Sequence, residues 1–181
     1  MWNLYKEEMK NAIDSFIFDE TIIDVIKRTK EEGRMIFLAG NGGSAAISMA
    51  FACDLNKCSV KDWKNNDHRF RALSLVSETS YLTAISNDDN YSEVFVEQLR
   101  NLSKPGDVVM LISSSGNSPN VVRAAEWAND HGLITIGFTG FKGGKLRETC
   151  KHNAYVTSMD YGICEDVHSI LTHYLTRILR G

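Results

Sequence analysis

Proline is almost missing from this sequence, with two in 181 residues, and that excludes a proline-rich linker or stalk. Cysteine is scarce and never paired. Cys53, Cys58, Cys150 and Cys164 form no CxxC motif, so neither a zinc ribbon nor a dithiol redox centre is indicated, and the thiols fit a reduced, cytoplasmic protein. No stretch approaches the roughly 18 apolar residues of a membrane span. The amino-terminal MWNLYKEEMKNAIDSF is charged and amphipathic where a secretory signal is apolar. Basic charge is also lacking: the formal net charge is −3, which supplies no basic face for a sequence-independent grip on nucleic acid. No GxxxxGK[ST] motif is present, so no nucleotide cofactor is expected.

What is present suits one soluble domain with its own core: 43% apolar and 24% charged residues. Residues 1–32 carry Leu4, Met9, Ile13, Phe16, Ile17, Ile22, Ile23, Val25 and Ile26 at helical spacing, predicting one or two amphipathic helices that Gly33 ends. From residue 33 the pattern alternates. Apolar runs predict strands at 35–40, 71–77, 108–113, 133–140 and 153–158. Helical spacing follows at 43–55, 79–85, 91–101, 121–132 and 163–180. The polar stretch 56–70 is expected to be a surface loop. Strands alternating with helices predict an α/β domain spanning 1–181, with a five-stranded parallel sheet between helical layers.

In such a sheet, ligands bind beyond the carboxyl ends of the strands. Two polar turns stand at such ends: Gly40-Asn41-Gly42-Gly43-Ser44 and Ser113-Ser114-Ser115-Gly116-Asn117-Ser118. Glycines let backbone N–H groups approach an anion, helix N-termini add a partial positive charge, and serines add donors without bulk. Helix capping alone explains one serine in such a turn. Four in six residues, straight after a buried strand, exceed what a cap requires and point to a phosphate. The first turn, taken alone, is equally a tight strand–helix connection.

Together the two turns, LAGNGGSA and ISSSGNSPNVV, resemble the signature segments of the SIS (sugar isomerase) family of phosphosugar-binding domains, in its phosphoheptose isomerase branch. The resemblance continues through TAISNDDNY, GFTGFKGGKL and EDVHSILTHYL, covering nearly the whole chain from about residue 35. It implies isomerisation of sedoheptulose 7-phosphate to an aldoheptose phosphate for surface-polysaccharide synthesis. It implies that Ser113, Ser114, Ser115 and Ser118 hold phosphate, that Asn41, Gly42, Gly43 and Ser44 line the sugar pocket, and that Asp88 contacts sugar hydroxyls. It aligns His173 with the family's catalytic histidine, and it implies a homotetramer with pockets built at subunit interfaces, the N-terminal helices packing in the oligomer.

This chain departs from the pattern at four positions, one of them Gly162, where an aspartate is expected just before the last helix and Asp160 stands two residues earlier. Where the isomerases carry a histidine and, four residues on, a glutamate, Ala50 and Asp54 stand here; Glu165 replaces a glutamine on the last helix. Those positions bind zinc in many such enzymes. Asp54, Glu165 and His173 remain as ligands and equally as candidate bases and acid. Each also has a purely structural reading: Asp54 as a solvated helix residue, Glu165 as a carboxylate favoured by the helix dipole, and His173 as an interior histidine. His168, five residues earlier and on another side of the helix, is secondary. A non-catalytic regulator or adaptor that binds a sugar phosphate or a protein partner is the alternative reading.

Overall fold

A computed structural model describes residues 1–66 and 68–180. In chain order the elements are α1 (Trp2–Asp14), β1 (Ile17–Phe18), α2 (Thr21–Glu31), β2 (Met35–Gly40) and α3 (Gly43–Cys53), which runs into a π-helical turn at Asp54–Cys58. β3 (Arg71–Ser74), α4 (Thr79–Asp88), α5 (Val96–Leu102), β4 (Val108–Ser113) and α6 (Pro119–Asp130) follow. The chain ends with β5 (Ile134–Thr139), α7 (Gly144–Thr149), β6 (His152–Tyr155) and α8 (Tyr161–Arg180). The stretch 56–70 is therefore not all loop: it opens inside the π-helical turn, and Asp67 lies outside the described residues.

The sheet order is β1-β6-β5-β4-β2-β3. The five strands expected from the apolar runs are all present, and every pairing among them is parallel. A sixth strand lies in the segment expected to be wholly helical. Ile17 and Phe18 pair antiparallel with Tyr155 and Ala154, adding an edge too short to leave a period-2 pattern.

Side-chain alternation divides the core. Ile36, Leu38, Met110, Ile112, Ile136 and Phe138 face α2, α3 and α8 through Ile22, Ile26, Phe51, Leu171 and Leu175. Phe37, Ala39, Val109 and Leu111 face α5, α6 and α7 through Leu99, Val121, Ala125 and Leu146. Both faces of the strands are covered, which is why they read as unbroken apolar runs. β2 pairs with β3 on one side and β4 on the other, so the strand order reverses direction at the β2–β4 boundary. The helices after these two strands leave to opposite faces, α3 to the first and α6 to the second. The connections diverge and open a crevice.

His168 occupies the core between α8 and β5. Its Nε2–H donates to the Thr139 carbonyl at 3.1 Å, while Nδ1 is buried without a partner among the described residues. Burial lowers its pKa to about 4. The unfolded imidazole protonates near 6.5 and the native one only near 4, so this residue's contribution is full above pH 6.5 and is lost as pH falls towards 4. We predict that urea unfolding of the wild type loses up to about 3 kcal/mol more than His168→Gln across that window. Parallel pH profiles of the two proteins would contradict this.

Candidate functional site

The first turn begins where β2 ends. Asn41 leads into Gly42, whose φ of 55° starts α3 in a conformation that L side chains rarely adopt. Gly43 is required by a contact from the far end of the sequence: a Cβ there would collide with the carboxylate of Glu165. The second turn, after β4, is held from beneath. The Ser114 carbonyl accepts from the Gly140 N–H at 2.9 Å and the Gly116 carbonyl from the Leu146 N–H at 2.9 Å. Gly116 lies so close to the Gly143 carbonyl that no side chain fits. Asn117 ties its own loop down, donating from Nδ2 to the Ser115 carbonyl at 3.0 Å.

The two turns are joined by a reciprocal amide pair. Asn41 Nδ2 donates to Asn120 Oδ1, and Asn120 Nδ2 to Asn41 Oδ1, each at 2.9 Å. The Tyr91 hydroxyl adds a bond to Asn41 Oδ1 at 3.0 Å. Asn120 is almost fully buried. Asn41 thus acts first as a clamp between the β2 turn and α6.

Between the turns lies a cavity of about 110 Å³, lined by Asn41, Ser44, Ile112, Ser113, Ser114, Ser115, Ser118, Tyr161 and Glu165. Its serines are not spent on structure alone. Ser118 stands at the N-cap of α6, yet its side chain makes no capping bond. Ser114 Oγ is buried with no hydrogen-bond partner among the described residues, an arrangement that costs free energy unless a ligand completes it. α3 and α6 both start at this cavity, each bringing unpaired backbone N–H groups and the positive end of its dipole. The arrangement can hold a dianion such as a phosphate ester. Glu165 adds a carboxylate whose pKa is raised, first by burial and then by the neighbouring charge of Asp166.

The other expected site residues lie apart within the single chain. Asp54 sits half-buried in the π-helical turn, where burial and then the nearby Asp54 carboxylate raise the pKa of Cys58. His173 is on the exposed side of α8, roughly 12 Å along the helix from Glu165. Asp88 ends α4, exposed, with Asn87 Nδ2 at 2.9 Å from its Oδ1. Among the described residues no three His, Cys, Asp or Glu side chains converge on a metal-sized position. Asp54, Glu165 and His173 therefore do not form a metal site within one chain. Ala50, exposed on α3, supplies no ligand.

Asn120, Tyr91 and Tyr161 were not foreseen. Asn120 and Tyr91 come to the first turn from distant segments, a juxtaposition that only the sheet order creates. Tyr161 had a detectable signal, being four residues before Glu165 and hence on the same side of a helix. A larger hollow, of about 640 Å³, is lined by Arg34, Arg71, Lys104 and Asp107 at the amino ends of the strands. Its arginines donate to the Pro105 and Gly33 carbonyls, and Asp107 accepts from the Met35 and Lys104 N–H groups. These groups serve the turns they belong to.

Comparison with known proteins agrees with this geometry. A profile of the SIS domain matches residues 18–140. The chain is 37% identical to the phosphoheptose isomerase of Aliarcobacter butzleri, over 94% of this chain and 97% of that protein. It is 35% identical to the one from Aquifex aeolicus, over 90% and 85%. The solved phosphoheptose isomerase of Neisseria gonorrhoeae superposes with a TM-score of 0.86 at 29% identity, covering 98% of this chain and 95% of that one. The chain belongs to the SIS domain family and, within it, to the phosphoheptose isomerase branch.

Proposed function

We propose that this protein is an aldose–ketose isomerase that interconverts sedoheptulose 7-phosphate and an aldoheptose 7-phosphate through an enediol. One observation carries the reading: unpartnered serine hydroxyls and a partly desolvated carboxylate share one cavity at the start of two helices. The serine loop anchors the phosphate. The reaction then takes a proton from the carbon beside the carbonyl and returns it to the neighbouring carbon. That requires a base, a donor to the sugar oxygens and stabilisation of the enediolate charge. Glu165 is the base. Its raised pKa brings its proton affinity closer to that of the working pH, which favours general-base catalysis.

Asp54 and His173 have roles only if they approach the sugar from a neighbouring chain, His173 as an acid and Asp54 as a second carboxylate. A homotetramer would supply that approach. An apolar hollow of about 240 Å³ supports such packing: it is lined by Ile13, Phe16, Phe18, Val167, Ile170, Leu171 and Tyr174, with Ile13, Ile170 and Tyr174 exposed. A zinc ion on Asp54, Glu165 and His173 would likewise need donors from more than one chain, and no step is routed through it. Asp88 would contact sugar hydroxyls only after a comparable approach.

Ala50 supports a second reading, in which the chain binds the sugar phosphate without turnover, as a regulator or adaptor. Sedoheptulose 7-phosphate incubated with the protein in D2O separates the two. NMR detection of an aldose carrying deuterium at C2 is expected of the isomerase. Tight binding with neither product nor exchange supports the regulator.

Three further outcomes are expected. Ser114→Ala removes a hydroxyl that has no protein partner, so thermal stability is retained while calorimetric affinity for the sugar phosphate falls about tenfold or more. Glu165→Gln lowers kcat by roughly 10²–10⁴ with phosphate binding preserved; an unchanged kcat removes it as the base. Light scattering at micromolar concentration gives a tetramer, and a monomer would count against shared sites.

A further inference from the structure

A phosphate anchor binds every phosphate ester alike, so choice among sugars must come from a group that touches the polyol. We propose that Tyr161 is that group: its phenol donates a hydrogen bond to a sugar oxygen near the reacting carbons, and its ring walls the carbon chain. The proposal rests on the phosphosugar reading above and deepens it.

Tyr161 lines the same cavity as the serine loop and Glu165. As the first residue of α8 it stands one turn before Glu165, on the same face. Phenol and carboxylate therefore border one space, as a donor to the substrate oxygens and a base for the carbon-bound proton must.

The ring is placed by a costly local structure. It meets Phe141 edge-on, with centroids 4.6 Å apart and planes at 64°. Phe141 itself sits at φ 51°, a conformation that an aromatic residue adopts only when its surroundings impose it. Both of its backbone groups are held: its N–H donates to the Ser158 carbonyl at 2.8 Å, and its carbonyl accepts from the Tyr155 hydroxyl at 2.7 Å. The same Ser158–Asp160 loop sets the start of α8. Asp160 Oδ1 caps the Ile163 N–H at 3.0 Å, and the Asp160 N–H donates to Ser158 Oγ at 3.2 Å. Asp160 is thus spent on the helix, and Tyr161 is the residue presented to the cavity.

Burial does not explain the arrangement. Tyr161 remains 60% exposed, and its phenol makes no hydrogen bond among the described residues. A strained backbone that fixes an exposed aromatic at the mouth of an anion cavity suits ligand recognition. The cavity's 110 Å³ is about the room of four waters, enough for a phosphate and its nearest atoms. The rest of a sugar must leave by the mouth, along which Tyr161 stands.

The test is calorimetry on the full-length protein with two probes, sedoheptulose 7-phosphate and inorganic phosphate, for wild type, Tyr161→Phe and Tyr161→Ala, with kcat and KM measured beside it. Tyr161→Ala should weaken the sugar phosphate about tenfold and leave inorganic phosphate within about twofold. Tyr161→Phe keeps the ring and its contact with Phe141, so thermal stability holds while kcat/KM drops several-fold. The assignment is overturned if both variants bind the sugar phosphate like wild type. It is overturned equally if both probes are lost in proportion, because Tyr161 would then only support the anion site. Wild type that binds neither probe sinks the phosphosugar reading itself, a different failure from unaffected variants of a competent protein.

Discussion

Everything in this molecule depends on the reversal of strand order at the β2–β4 boundary. The two strands run parallel, with Ile36 against Val108 at one end and Gly40 against Ile112 at the other. Their helices depart to opposite faces, so the chain cannot close the space above them. The sheet thus presents two helix N-termini and two polar turns around a gap that its own packing leaves. The Asn41–Asn120 amide pair spans this gap and sets its width.

In the proposed mechanism the last helix adds the base to the phosphate-binding cavity. α8 packs on the α3 side of the sheet through Leu171 and Leu175, which carries its first turns to the carboxyl ends of the strands. Glu165 can rest where it does only because residue 43 is glycine. The distance in sequence between Gly43 and Glu165 is closed by the fold, and the partial burial that results shifts the carboxyl towards the behaviour of a base. Beneath the site, His168 ties α8 to β5, and the Gly140 N–H ties the end of β5 to the serine loop. The donors are thereby fixed before a ligand arrives, which lowers the cost of binding.

Much of this was legible in the sequence, for physical reasons. Strands buried on both faces leave continuous apolar runs, so β2 and β4 are plain in MIFLAG and VVMLIS. Glycine and serine clusters straight after such runs mark ligand loops, and Ser44, Ser113, Ser114, Ser115 and Ser118 do line one cavity. Short elements were not legible: β1 has two residues and α7 six, too few to show a period. Tertiary juxtapositions were not legible either. Nothing in the run NSPNVV says that Asn120 will meet Asn41, or that Tyr161 will lean on Phe141. Asp54 and His173 show the opposite limit. A family pattern marks them, but the fold of one chain leaves them outside the cavity.

In the proposed mechanism the serine loop and Glu165 grip the two ends of one substrate. A crystal structure of the protein soaked with sedoheptulose 7-phosphate tests it most directly. The phosphate is expected within hydrogen-bond distance, about 3 Å, of the Ser114 and Ser118 hydroxyls, with the carbonyl end of the sugar against Glu165. Phosphate density elsewhere, such as in the hollow between Arg34, Arg71 and Lys104 at the opposite end of the sheet, would contradict it.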